Sequence, residues 1–173
     1  MSAVREHLRL LEGLQTGTST PAGYTYKSLY EFVLDRGVLS SSGVLTQEEL
    51  RVLLRARSMK TFPSKACFYN AQRLVLADKT NSLVYNEGFA HSVFFPMHHA
   101  WATLNGKVID LTWDHNGEEI LGLVPEGWEY LGVPFPDREQ VRLAHKKKFV
   151  SLLDDPEDGW PLFKLPRLNS NAS

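Results

Sequence analysis

The run HHAWATLNGKVIDLTWD, residues 98 to 114, leaves little freedom in how it folds. Asn105-Gly106 separates two stretches rich in β-branched, aromatic and aliphatic residues, and a two-residue hairpin turn needs residues that accept positive φ at both of its central positions. The pattern predicts a β-hairpin with Leu104 facing Lys107. Counting back in that register sets His99 opposite Thr112 and Asp110 opposite Trp101, so that His99 and Asp110 become diagonal neighbours on one face of the ladder. An imidazole beside a carboxylate is what a thiol nucleophile needs, and the chain has a single thiol, Cys67.

Pro63-Ser64 reads as a helix start, with Ser64 as N-cap and Cys67 in the first turn. Cys67, Ala71, Leu74, Val75 and Asp78 then lie along the side of that helix that packs on the rest of the protein. A thiol in the first turn of a helix faces the positive end of the macrodipole and backbone N–H groups without helical partners; such surroundings favour a thiolate and stabilise an oxyanion.

Upstream, three helices are expected. The first spans Ser2 to Leu14, with Val4, Leu8, Leu11 and Leu14 apolar. The second runs from Lys27 to Arg36 and is closed by Gly37 in the left-handed C-terminal position. The third opens on the capping box Thr46-Gln47-Glu48-Glu49 and turns Leu50, Leu53 and Leu54 inward. Residues 16–23 and 40–43 read as loops. Downstream of the thiol helix the period changes to that of strands: Ser82 to Ala90, the apolar run from Ser92 to Met97, the hairpin, a loop at His115-Asn116-Gly117, and a last strand over Tyr130 to Phe135. Pro134 suggests an edge position for that strand. Asp137 caps a final helix from Arg138 to about Leu153, and the tail from Asp154 reads as an irregular wrap or partly disordered.

Helices first and antiparallel strands after predict an α+β fold, a helical N-terminal part packed on an antiparallel sheet with the nucleophile at a helix N-terminus. The expected organisation is one domain over 1–173, with a helical part over 1–60, the core carrying the candidate site over 64–135 and an irregular tail over 154–173. A chain of 173 residues is long enough to bury a core without disulfides or metals. Its net charge of −1 gives no nucleic-acid footprint, and the basic cluster His145 to Lys148 reads as the solvated face of a helix. One cysteine fits a reducing compartment; residues 1–15 lack a continuous apolar segment, and no run approaches the ~18 apolar residues of a membrane span. The expectation is a soluble, cytoplasmic protein with no cofactor, no metal, no nucleic-acid partner and no membrane.

A cysteine at a helix start, then His99-Ala100-Trp101 on one strand and Asp110-Leu111-Thr112-Trp113 on the next, resembles the catalytic core of the transglutaminase-like superfamily within the wider papain-like group of thiol enzymes. The resemblance covers roughly Ser64 to Phe135. It implies Cys67 as nucleophile, His99 as its general base and acid, and Asp110 as the orienting carboxylate. Ala66 precedes the thiol, where many members place a glycine before it or a tryptophan after it. The runs around Cys67 to Asn70, Glu87 to Phe89 and His99 to Trp101 also resemble small phage and bacterial proteins, which implies a microbial or viral source.

The implied activity is acyl transfer on a peptide, protein or small amide, as a cysteine hydrolase or peptidase with water as acceptor, or as a transglutaminase-like transferase with an amine. Arylamine acetyltransferases share the residue order, but the Arg-Gly-Gly context of their nucleophile is absent. Glu87 is either a solvent-facing strand residue or one that lines the cleft and selects a cationic or amide group. Trp101 and Trp113 are packing residues or substrate platforms. Asn70 and Gln72, and more weakly Gln47, are candidates for an oxyanion amide. His98, alternating to the opposite face from His99, reads as a rim residue. Two other classes stand beside the enzyme: a metal site from Cys67, His98 or His99, His115 and Asp110, which lacks any ligand-pair spacing, and a binding or regulatory module that keeps the scaffold without turnover.

Overall fold

The α+β expectation holds in the computed structural model, which describes residues 2–15, 17, 19–58, 61–91, 95–112, 119–148 and 151–168. Five α-helices and six strands occur among them: α1 Ala3–Leu14, α2 Leu29–Arg36, β1 Val38–Leu39, α3 Gln47–Arg57, α4 Cys67–Ala77, β2 Leu83–His91, β3 Pro96–Leu104, β4 Lys107–Asp110, β5 Ile120–Gly122, β6 Glu129–Phe135 and α5 Arg138–Lys146. A 3-10 turn over Pro161–Lys164 follows. The expected loop at His115 to Gly117, together with Trp113, lies outside the described residues, as do residues 92–94 of the apolar run.

The hairpin forms in the register read from Asn105-Gly106. Leu104 faces Lys107, Thr103 faces Val108 and Ala102 faces Ile109, with φ of 51° at Asn105 and 81° at Gly106, the positive values a two-residue turn demands. The strands build one antiparallel sheet in the order β1-β6-β2-β3-β4-β5. Its spine is the β2–β3 pair, nine residues long on each strand.

The two faces of the sheet are covered unequally. On one, Tyr85, Phe89, Ala100, Ala102 and Leu104 join residues from all five helices, among them Leu8, Phe32, Leu53, Leu74 and Val141, in the main core. On the other, Trp101, Val108, Ile120, Trp128 and Tyr130 form a smaller cluster. Alternation along β3 sends His98 to the helical face and His99 to the opposite one.

Several local expectations are revised. The N-cap of α2 is Ser28, which accepts from Glu31 N, so the helix starts two residues after Lys27. Gly37 ends it with φ −70°, not in the left-handed region; what fixes glycine there is space, since a Cβ would lie 2.4 Å from the Val33 carbonyl oxygen. The capping box at Thr46 and Glu49 is formed, but the inward side of α3 carries Val52, Leu53 and Ala56, while Leu50 and Leu54 are exposed. Leu14 is exposed at the C-terminal end of α1. β6 is an inner strand between β1 and β2. Pro134 is tolerated because β1 pairs only with Leu131 and Gly132, which leaves the outer side of β6 open at the proline. α5 stops at Lys146, and the following tail is irregular, as expected, but anchored: Phe163 is buried and its carbonyl accepts from Thr25 N at 2.8 Å and Tyr26 N at 3.1 Å.

Candidate functional site

Cys67 is the first residue of α4. Ser64 does not cap that helix: the N-cap is Ala66, which offers no side-chain acceptor to the first-turn N–H groups. The approach is held differently. Lys65 sits in the left-handed region at φ 60°, a conformation that costs a non-glycine residue about 1–2 kcal/mol. Asn70, buried in the second turn, donates through Nδ2 to the Pro63 carbonyl at 2.8 Å and to Thr112 Oγ1 at 2.8 Å. One amide thus ties the segment before the thiol to the residue two beyond Asp110.

α4 packs on the helical face, whereas His99 projects to the other, so they meet only at an edge. β4 pairs with β3 no further than Ala102↔Ile109, which uncovers the Pro96 half of β3 on that side. There the start of α4 comes alongside, and Cys67 and His99 line a common cleft of about 620 Å³ with Ser64, Lys65, Met97, His98 and Thr112.

His99 Nε2 lies 2.6 Å from Asp110 Oδ2, with both residues buried. Asp110 also accepts from the Tyr130 hydroxyl at 3.0 Å, and its other oxygen from Thr112 N at 2.9 Å. The Cys67 side chain stands close enough to the imidazole to favour its protonated form; with Nε2 committed to Asp110, Nδ1 is the nitrogen left for it. Burial opposes the imidazolium, but the Asp110 carboxylate, by charge and hydrogen bond, and Cys67 outweigh it and raise His99 to about 9. For Asp110 burial opposes ionisation in turn, yet His99, Thr112 N–H and Tyr130 hold the carboxyl below its usual range. The Tyr130 hydroxyl, buried beside that negative charge, is pushed well above its ordinary value. Trp101 supports the ring from one side, near-parallel to it with centroids 6.4 Å apart.

The structure therefore brings Cys67, His99 and Asp110 together, and it places the three expected substrate contacts elsewhere. Trp101 is 1% exposed, packed edge-on against Tyr130 with its Nε1 donating to Ser40 Oγ, and presents no surface to a ligand. It also lies on Gly132, where a Cβ would sit 2.4 Å from the indole. Glu87 is fully buried and receives the Tyr85 hydroxyl, His98 Nε2, Ser151 Oγ, Leu152 N and Leu153 N. Its position is that of an anchor for the C-terminal segment. Asn70 braces the loops instead of reaching the cleft, and Gln72 is buried against the Tyr85 hydroxyl.

Thr112, Lys65 and Tyr130 belong to the site and were not foreseen. Thr112 was adjacent to the motif and carries its own signal, an Asp-x-Thr turn in which the carboxylate accepts the amide two residues on. Tyr130 gave none, because it reaches Asp110 through β6, whose place beside β2 is a non-local pairing. Among the described residues no group of three or more His, Cys, Asp and Glu is arranged to hold a metal ion, and His115 of the four-ligand alternative lies outside them. No described helix is long and apolar enough to cross a membrane. Comparison with protein-family models, with curated proteins and with solved structures gave no match to this chain.

Proposed function

We propose that this chain is a cysteine acyl-transfer enzyme of the transglutaminase-like and papain-like kind, acting on an amide through Cys67, His99 and Asp110. The observation that carries the reading is one buried imidazole held at 2.6 Å by a buried carboxylate while it lines an open cleft together with the chain's thiol. Cys67 gives its thiol proton to His99, and the sulfur attacks the carbonyl carbon, forming a C–S bond as the carbonyl electrons move onto oxygen. The first-turn amides of α4 supply donors for that oxyanion. Collapse breaks the C–N bond, and the amine leaves with the proton carried by His99. Water then adds to the thioester, giving a proton to His99; the C–S bond breaks and a carboxylic acid is released. An amine in place of water yields a new amide. Asp110 keeps the ring oriented and stabilises its charge without taking the proton.

The test is alkylation by iodoacetamide at pH 7, followed by intact mass, in the native protein, His99→Ala and Cys67→Ser. One adduct is expected, absent from Cys67→Ser, with the rate reduced about 100-fold in His99→Ala, in line with what a positioned base contributes. Equal rates in the native protein and His99→Ala, or a thiol that reacts only on unfolding, would overturn the proposal and leave a binding module on the same scaffold.

A further inference from the structure

The Cys67 cleft is bounded on one side by His98. That residue also borders a second cavity of about 690 Å³, built by parts of the chain outside the hairpin: the segment from Pro21 to Tyr30, Phe89 of β2, and the tail through Trp160 and Phe163. A row of rings leads into it from the nucleophile helix. Phe68, next to Cys67, packs edge-on against His98 with centroids 5.2 Å apart; His98 lies 5.8 Å from Phe89, and Phe89 lies 5.4 Å from Tyr30.

The polar groups at this cavity are already engaged. Lys27 Nζ is paired with Glu12 at 2.6 Å, and Asp154 accepts the Trp160 indole N–H at 2.7 Å. The Tyr24 hydroxyl donates to the Gly159 carbonyl at 3.0 Å, and that of Tyr26 to Asp35. What the walls offer a ligand is ring surface and Leu29, which recognise an apolar group and not a charged one.

Position relative to the reacting atoms decides which part of a substrate belongs there. The leaving nitrogen must meet His99, which projects to the face opposite the helices. Phe89 and His98 are on the helical face, so the cavity lies on the opposite face of the sheet from the imidazole. We propose that it is the acyl-side specificity subsite, taking an aromatic or large aliphatic substituent of the amide substrate, with His98 as the wall between subsite and thiol. This rests on the assignment of Cys67 and His99 as the reacting pair.

The experiment compares second-order labelling of Cys67 by the chloromethyl ketones of N-acetylphenylalanine and N-acetylglycine, in which the sulfur displaces chloride and forms a C–S bond, with iodoacetamide run alongside. The phenylalanine reagent is expected to react on the order of 10- to 100-fold faster than the glycine reagent, the range that burial of one such side chain supports. In Leu29→Trp, which fills the cavity, the ratio is expected to fall to about one. A second readout needs no chemistry and no cavity variant: N-acetylphenylalanine amide should change the fluorescence of Trp160, which lines the cavity, in Cys67→Ser, and N-acetylglycine amide should leave it unchanged. A native ratio near one with normal iodoacetamide labelling would overturn the subsite and leave the reacting pair standing. Failure of iodoacetamide to label folded protein would overturn the pair instead.

Discussion

His98 and His99 are consecutive on β3, point to opposite faces of the sheet, and each places Nε2 against a buried carboxylate: His99 on Asp110 at 2.6 Å, His98 on Glu87 at 3.1 Å. Each carboxylate also accepts a tyrosine hydroxyl, Tyr130 at 3.0 Å for Asp110 and Tyr85 at 2.9 Å for Glu87. The difference lies in what stands around the two pairs. Glu87 collects Ser151 Oγ and two main-chain amides of the C-terminal segment, whereas Asp110 serves an imidazole that in turn contacts a thiol. A buried carboxylate filled with main-chain donors fixes a segment; in the proposed chemistry, one behind an imidazole that shares a cleft with a thiol sets a proton. Residue type alone does not separate the two roles, but the third partner does.

Exchanging one atom in each carboxylate gives the widest separation. Asp110→Asn puts an amide donor against His99 Nε2, which then has to accept, so the ring carries its proton on Nδ1, toward Cys67, and cannot take one from the thiol. Turnover of an amide substrate is expected to fall about 1000-fold or more by analogy with orienting carboxylates elsewhere. Glu87→Gln instead sets an amide N–H against donors at the C-terminal segment. The expected cost is about 2–4 kcal/mol of stability, read as a fall in Tm of roughly 10 °C, with turnover changed less than about threefold below the transition. Loss of turnover in Glu87→Gln at full occupancy of the folded state, with Asp110→Asn still active, would reverse the two assignments.

How much of this contrast can be read without coordinates depends on sequence distance. His99 and Asp110 are joined by a two-residue turn whose chemistry fixes the register, so their proximity follows from Asn105-Gly106 and strict alternation. The capping box of α3 and the place of Cys67 in the first turn of α4 are equally local. Glu87 is different. Its donors at 151–153 lie more than sixty residues away, beyond a helix whose end was expected near Leu153 and is at Lys146. Alternation gives Glu87 a face but not the segment that covers it. Trp101 and Tyr130 fail for a related reason, since β6 enters the sheet between β1 and β2 and no local signal gives that order. The orientation of α4, which lets a thiol on the helical face meet an imidazole on the other, depends on where β4 stops pairing.

A smaller effect separates the pairs by pH. His99 is raised to about 9 in the folded protein, above the ordinary value of about 6.5, so its stabilising contribution is complete below that ordinary value and is lost as pH climbs through about 9. Asp110 is lowered, and its contribution is present above the usual carboxylate value and lost as pH falls below it. The Tm of the native protein is therefore expected to fall between pH 7 and 10 by roughly 5 °C more than that of a His99→Asn/Asp110→Asn double variant. Parallel Tm curves for the two proteins over that range would remove the charged form of His99 from the account. Under the proposed mechanism turnover should fall over the same rise, because the leaving amine would need the proton that the imidazolium carries.

The two tyrosines offer the finest comparison, since their hydroxyls make equivalent bonds to the two carboxylates. Tyr130→Phe and Tyr85→Phe each delete one oxygen without changing ring packing; the first is expected to cost about 1 kcal/mol, the net worth of one hydrogen bond, and the second about 2–3 kcal/mol, because it also strands the buried Gln72 amide. Tm should thus fall by about 3 °C in Tyr130→Phe and by about 7 °C in Tyr85→Phe. Only Tyr130→Phe should reach the proton on His99. The Tyr130 hydroxyl shares Asp110 Oδ2 with the imidazole, so its removal leaves that oxygen richer in charge and strengthens its hold on the imidazolium. The alkaline limb of the pH–rate profile is expected to move upward by a few tenths of a pH unit in Tyr130→Phe and to stay in place in Tyr85→Phe. Matching shifts in both variants would mean that the two carboxylates act on the thiol through a shared field, and the division between anchor and proton-setting pair would fail.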